Sequence, residues 1–201
     1  MNYNIKMEEI LNSLTEKKRL LLHACCAPCS SYTLERLSKY FDITIYYYNP
    51  NIHPKNEYMR RLNELKKFIN EYPHDNLIEL IEVNYDPNEY FDAVKGLESL
   101  GEMSKRCYEC YKLRMENSIK YAKDNNYDYF TTTLSISPYK KSDWINEIGL
   151  YLENKYNIKY LFSDLKKKNG YKRSLELSKQ YNLYRQDYCG CIYSKKERNS
   201  K

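Results

Sequence analysis

The sequence predicts a doubly wound α/β fold, one parallel sheet of about five strands with helices on both faces, and three observations lead there. Short apolar runs of buried-strand type alternate along the chain with stretches whose apolar residues recur at helical spacing. A length of 201 residues supports one sizeable core and is short for two. The turn-rich and cysteine-rich segments follow the ends of the apolar runs, and in open α/β sheets those carboxyl-end loops hold the ligand.

The first strand is expected over Leu20–Ala24, followed by a cysteine-bearing loop and a helix with Leu34, Leu37 and Phe41 on one face. Ile43–Tyr48 forms the second strand, and the turn from Asn49 to Pro54 separates it from a helix marked by Leu62, Leu65, Phe68 and Ile69. Leu77–Val83 reads as the third strand, and Asp86, Pro87 and Asn88 open a short helix through Phe91 and Val94. A longer helix spans Ser104–Lys123. The fourth strand, Tyr127–Thr133, leads through the loop Ser135–Tyr139 into a helix carrying Trp144, Ile145 and Ile148. Lys159–Phe162 is the fifth strand and Arg173–Tyr181 the last helix. All of residues 1–201 read as a single domain, closed by a Cys-Gly-Cys segment (184–194) and a frayed basic tail (195–201).

The formal charge of +6 favours an anionic partner, with basic residues clustered at Arg60 and Arg61, Lys66 and Lys67, Lys140 and Lys141, and Lys166 to Lys168. The same basicity and the 24 tyrosines also follow from a bias toward A/T-rich codons, so charge leaves both readings open. No secretory leader pattern and no apolar run long enough for a bilayer is visible, which places the expected location in the cytoplasm.

Seven cysteines fall into three tight groups: Cys25, Cys26 and Cys29; Cys107 and Cys110; Cys189 and Cys191. In a reducing compartment such groups are metal ligands or redox thiols rather than staples. Cys107 and Cys110, three apart at a helix start beside Lys105 and Arg106, form a bidentate pair expected to favour thiolate. Cys25 and Cys26 can supply two more thiolates if the backbone turns at Pro28, completing the four that an iron–sulfur cluster requires. Cys26, Cys29, Cys107 and Cys110 compete as a set, and zinc competes as the metal. About eighty residues separate the pairs, which is unlike a zinc ribbon. Cys26 to Cys29 between strand and helix also fits a thioredoxin-like dithiol, although that leaves the other groups unexplained.

One residue between Cys189 and Cys191 makes a disulfide there strained and labile, and Gly190 would permit the torsions that so small a ring demands. A redox-active dithiol is the sharper reading, and metal ligation with Asp187 is the other. His23, on an apolar strand, reads as a satisfied core residue with a proton-donating role as the alternative. His53 and His74 are the remaining histidines. Tyr46, Tyr47 and Tyr48 read as strand packing.

Four segments taken together, HACCAPC (23–29), RCYECYKLR (106–114), TTLSISPYK (132–140) and YRQDYCGCIYS (184–194), resemble the epoxyqueuosine reductase family QueH over nearly the whole chain. The resemblance implies a Rossmann-like fold of the HUP (adenine-nucleotide-hydrolase-like) kind and reduction of epoxyqueuosine to queuosine at the tRNA wobble position without cobalamin. It implies a [4Fe–4S] cluster on Cys25, Cys26, Cys107 and Cys110 and a redox-active disulfide between Cys189 and Cys191. Cys29 is left over as a candidate ligand for an additional mononuclear iron. The glycine-rich phosphate loop of related nucleotide-binding folds is replaced by the cysteine loop, so no ATP chemistry is expected.

Removing an epoxide oxygen takes two electrons and two protons, and the thiol groups offer carriers for both one-electron and two-electron steps. Catalytic roles are therefore expected for Cys189, Cys191 and Asp187, with Asp187 or a tyrosine as proton donor. The partners are tRNA carrying epoxyqueuosine and a low-potential electron donor, with Arg60, Arg61, Lys140 and Lys141 as the first expected phosphate contacts. A zinc-stabilised RNA-binding module and a cluster-dependent tRNA-thiolation enzyme are the alternatives.

Overall fold

A computed structural model describes residues 2–73 and 78–200; His74 and Leu77 lie outside the described residues. Five parallel strands, β1 (Lys18–His23), β2 (Phe41–Tyr47), β3 (Glu79–Glu82), β4 (Tyr129–Thr132) and β5 (Lys159–Tyr160), form one sheet in the order β3-β2-β1-β4-β5. The chain winds outward from β1 through β2 and β3, then crosses back and winds the other way from β4. The strand order therefore reverses between β1 and β4, which pair in register from Leu20 opposite Tyr129 to His23 opposite Thr132. The loops leaving these two strands diverge at their carboxyl ends, opening the crevice in which doubly wound sheets bind ligands.

Burial on both faces explains why the central strands are continuous apolar runs. Leu20 and Leu22 pack into one core, with residues of α1 (Tyr3–Ser13), α2 (Ala27–Leu37) and α3 (Lys55–Glu71). Leu21 points the opposite way, into a second core with Met115 and Ile119 of α5 (Lys105–Asp124) and Ile145 and Ile148 of α6 (Ser142–Tyr156). Between these elements lie α4 (Asn88–Ala93) and a 3-10 turn, Thr133–Ile136; α7 (Gly170–Gln180) and α8 (Ile192–Asn199) close the chain. The tyrosines of the 46–48 run are buried in these cores, as strand packing requires.

Four differences from the sequence-based expectation have physical causes. Phe41 opens β2 rather than facing out from α2, because α2 stops at Leu37 and Tyr40 closes a turn onto its carbonyl. An additional helix, α1, precedes β1; Asn2 caps it by accepting from the Ile5 amide, and Met7 and Leu11 are buried. β3 and β5 are shorter than their apolar runs. Finally, much of the stretch expected as a frayed basic tail belongs to α8, which is tied down: Glu197 accepts from the buried Arg106 guanidinium at 2.8 Å and from the Glu102 amide at 3.2 Å.

Candidate active site

β1 ends at His23, and the chain turns at once into α2, with Cys26 as the helix cap. Its sulfur accepts from the Cys29 amide at 3.4 Å, and Pro28, which has no amide hydrogen to satisfy, occupies the first turn. That turn brings Cys25 and Cys26 to 3.9 Å, and the sulfurs of Cys25, Cys26 and Cys29 all lie within 4.8 Å of one another. Cys25 and Cys26 are buried and Cys29 is half-buried. The thiols hold their protons unequally. Hydrogen bonding with Cys26 and Cys29 keeps Cys25 well below the usual thiol range, with Lys140 and Arg114 adding positive charge. Burial and the neighbouring Cys25 push Cys26 up to about 12. Cys25 is therefore the first of the three to become a nucleophile or ligand.

Directly beside this group a cavity of about 390 Å³ opens at the switch point, its wall including Cys25, Cys29, Cys107 and Cys189. One thiol or more from each of the three sequence groups thus faces a single space. A small adjoining recess is walled by Cys107, Cys110, Cys189 and Cys191 together with Asn51 and Arg106. Cys107 and Cys189 border both spaces, whereas Cys191 borders only the recess and is buried. All seven cysteines are free thiols.

The first turn of α5 carries Cys107 and Cys110 as its sequence implied, yet it does not make them thiolates. Burial pushes Cys110 up to about 12, and burial followed by the charge of Cys189 raises Cys107. Arg106 does act to lower Cys107, but burial and the neighbouring cysteines outweigh it, and its guanidinium donates to Glu197 and the Glu98 carbonyl. A metal binding there would have to displace protons from both sulfurs.

The Cys189–Cys191 segment is held by a network that runs from α3. Arg61, 1% exposed, donates from Nη1 to the Cys189 carbonyl at 3.1 Å and from Nη2 to the Tyr188 carbonyl at 3.3 Å; its Nε pairs with Glu57 at 2.7 Å. Gly190 adopts φ +130°, where a side chain would be strained and its Cβ would meet Arg61 Nη1 at 3.1 Å. The Gly190 carbonyl accepts from the His53 amide, and the Tyr188 hydroxyl donates to the His53 carbonyl. Cys191 then caps α8, its sulfur accepting from the Ser194 amide at 3.4 Å.

Two of the four cations expected to meet RNA phosphates lie away from the open surface. Arg61 is interior and Lys140 is half-buried in the cavity wall; Arg60 and Lys141 are exposed, 3.4 Å from the Tyr184 and 3.9 Å from the Trp144 ring centroids. Burial disfavours the Lys140 charge, but Cys189, Tyr111, Cys25 and Cys29 around it outweigh burial and raise its pKa. Asp187 stands at the cavity rim, well exposed, 3.5 Å from Arg198. His23 is fully buried: one ring nitrogen faces the Thr132 hydroxyl at 2.9 Å and the other the Tyr48 carbonyl at 3.1 Å. Desolvation lowers its pKa to about 4, so it is a neutral strand-bridging core residue.

A profile of the family described as epoxyqueuosine reductase QueH matches residues 20–197, a span that contains all seven cysteines. The chain belongs to the QueH family. Proteins named epoxyqueuosine reductase QueH match over nearly all of this chain. That of Streptococcus pyogenes serotype M1 is 43% identical over 193 residues, covering 95% of this chain and 76% of its own length. The Staphylococcus epidermidis protein is 42% identical over 201 residues, with 96% and 84% covered, and the Thermotoga maritima protein is 35% identical over 188 residues, with 90% and 93% covered. In this QueH-family site, sequence reasoning did not find Arg114, Tyr111 or Gln186. Arg114 is buried, and its Nε donates to the Cys110 carbonyl at 3.2 Å. Gln186 donates to the Cys26 sulfur at 3.2 Å. Arg114 stands one helical turn after Cys110, and that spacing was the available signal.

Proposed function

We propose that this protein is an epoxyqueuosine reductase acting on tRNA, an oxidoreductase that removes the epoxide oxygen in the cytoplasm without cobalamin. One observation carries the reading: thiols from all three cysteine groups meet in one cavity at the sheet's switch point, in a chain of the QueH family. Among the described residues no helix is long and apolar enough to cross a membrane.

The donor set fits an iron–sulfur group. Cys25, Cys26, Cys107 and Cys110 are the four thiols assigned to a [4Fe–4S] cluster, with Cys29 as ligand of an additional mononuclear iron. A cluster would be held between two pairs, Cys25 and Cys26 at 3.9 Å on one side and Cys107 and Cys110 of the α5 first turn on the other, whereas the close trio of Cys25, Cys26 and Cys29 could hold a single ion. Buried Arg114 and half-buried Lys140 supply positive charge against thiolates in the same space. When bound, such a group supplies one-electron transfer and a Lewis-acidic iron for the epoxide oxygen.

The remaining chemistry belongs to the chain's own residues. Cys189 and Cys191 give up two electrons and two protons as their S–S bond forms; the epoxide loses its oxygen as water, and its two carbons are left as an alkene. An external low-potential donor returns the disulfide to the dithiol. Cys189 borders the cavity and Cys191 the recess behind it, so Cys189 is the thiol that meets the reacting centre. Proton delivery falls to Asp187 at the rim, with Tyr111 and Lys140 in the wall as the further donors within the cavity. Lys140 also places positive charge where the opened epoxide carries an alkoxide.

Anaerobic reconstitution with iron and sulfide, followed by incubation of epoxyqueuosine-containing tRNA with a low-potential reductant, tests the proposal. Queuosine is the expected product. A reconstituted, coloured protein that forms none would overturn it.

A further inference from the structure

The cavity has room for one nucleobase with its substituent. At about 390 Å³ it lies at the low end of the roughly 300–1,000 Å³ range of small-ligand sites, far too small for a loop of RNA. A wobble nucleotide that enters it must leave the stack of its neighbours, which then remain outside against the rim.

The rim carries a feature that nothing in the fold requires. Tyr139, at the tip of the loop after β4, is 70% exposed, more than any other exposed large apolar side chain among the described residues. Among the described residues no aromatic ring or cation stacks on it, whereas Tyr171 and Tyr188, also at the cavity, are faced by Arg185 and by Arg61 and Lys195. The same cavity wall also includes Met103, 41% exposed and held at φ +61°, a conformation uncommon outside glycine. Cations stand beside Tyr139: Lys140 and exposed Lys141 follow it directly, and Arg185 and Arg198 line the same cavity together with the acidic Glu102, Asp187 and Glu197. Unpartnered aromatic faces flanked by cations are how single-stranded RNA is held, each ring replacing a lost base stack.

We infer that Tyr139 is the stacking platform for a nucleobase adjacent to the wobble position, holding the anticodon loop open while the modified base occupies the cavity. The inference rests on the proposed tRNA substrate and adds which residue recognises the loop outside the cavity. It assigns Tyr139 to positioning of RNA and not to the redox chemistry.

The test uses the iron-reconstituted protein and an unmodified anticodon stem-loop carrying 2-aminopurine at either neighbour of the wobble nucleotide. Stacking quenches the probe at one of these positions on binding. Tyr139→Ala should lose that quench and bind the stem-loop about tenfold more weakly, with Tyr139→Phe and Tyr139→Trp retaining both. With modified tRNA the alanine variant should show its loss of kcat/KM mainly in KM. Quench and affinity unchanged in Tyr139→Ala, or a phenylalanine variant as weak as alanine, would overturn the inference, as would wild-type protein that does not bind the stem-loop. Binding is read without turnover, so a wild type that binds and quenches but makes no queuosine sinks the reductase reading and leaves this one standing. The side chain's exposure means that the substitution leaves the core intact, which a melting curve for each variant verifies.

Discussion

Replacing Arg61 with alanine removes the residue that joins α3 to the Cys189–Cys191 segment. The guanidinium is 1% exposed and satisfies three acceptors: Glu57 at 2.7 Å, the Cys189 carbonyl at 3.1 Å and the Tyr188 carbonyl at 3.3 Å. Alanine leaves the Glu57 carboxylate, itself only 11% exposed, without its cation and strips two carbonyls of a donor. Breaking a buried pair in this way costs about 3–5 kcal/mol, mostly from the charge left behind. In a domain of this length that corresponds to a melting temperature lower by about 6–20 °C. Urea and thermal melts of the reduced, metal-free protein measure the loss, and the rate of maleimide labelling at Cys189 reports whether the segment has come loose. Arg61→Lys keeps the charge but cannot span three acceptors with one ammonium, so it should fall between wild type and alanine. Adding Glu57→Gln to Arg61→Ala removes the stranded charge and should recover part of the stability. A loss under about 1 kcal/mol for alanine, or no recovery in the double variant, would refute the claim that this buried pair anchors the dithiol.

Three further outcomes follow from the same geometry. Buried, neutral His23 has a folded pKa of about 4 against 6.5 unfolded; between these values the unfolded chain binds the extra proton, so stability falls as pH drops from about 6.5 to 4, by about 3 kcal/mol, and levels below. Urea melts across that range should show the slope in wild type and lose it in His23→Gln, and an equal slope in both would assign it elsewhere. Gly149→Ala in α6 would ordinarily strengthen a helix, but its Cβ would stand 2.2 Å from the buried Tyr160 ring, so a loss of about 1–3 kcal/mol is expected in thermal melts, and a gain would show that the ring yields. Cys107→Ser should abolish the visible absorption of the reconstituted protein, while Cys29→Ser keeps that absorption and lowers bound iron; loss of absorption in both would place Cys29 among the cluster ligands.

The fold was legible because both faces of its central strands are buried. Leu20 to Leu22 and Ile43 to Tyr48 need no alternation, so they stand out as continuous apolar runs, and every connection between them is long enough for a crossover helix. The edges were less legible. β5 keeps only Lys159 and Tyr160 in the ladder, and α8 looks in sequence like a basic tail because its anchor, Glu197 on Arg106, is a contact across 91 residues that no local pattern encodes. The same limit applies at the site. Spacing marked the cysteines as three groups and put the loops after β1 and β4 at one edge, but a cluster of lysine and arginine residues looks alike whether it faces solvent or the interior. Arg61 and Lys140, equally basic in sequence to Arg60 and Lys141, proved to be an interior clamp and part of the cavity wall.

That reassignment changes what the positive charge of the chain is for. Cys25, Cys29, Cys107 and Cys189 line one cavity, and thiolates facing the same space repel one another unless cations are held among them. Arg114 and Lys140 fill that role from α5 and from the loop after β4, on opposite sides of the site in sequence, and both owe their raised pKa to facing thiols outweighing burial. A cation among thiols lowers the cost of every ionised sulfur near it, whether that sulfur binds metal or carries electrons. If the proposed function holds, the interior charges belong to the redox site, and contact with RNA falls to exposed residues such as Tyr139 and Lys141, in the same loop as half-buried Lys140. On that reading one loop would couple recognition of the polynucleotide outside to the charge balance inside, and a change in its length or register should disturb both at once.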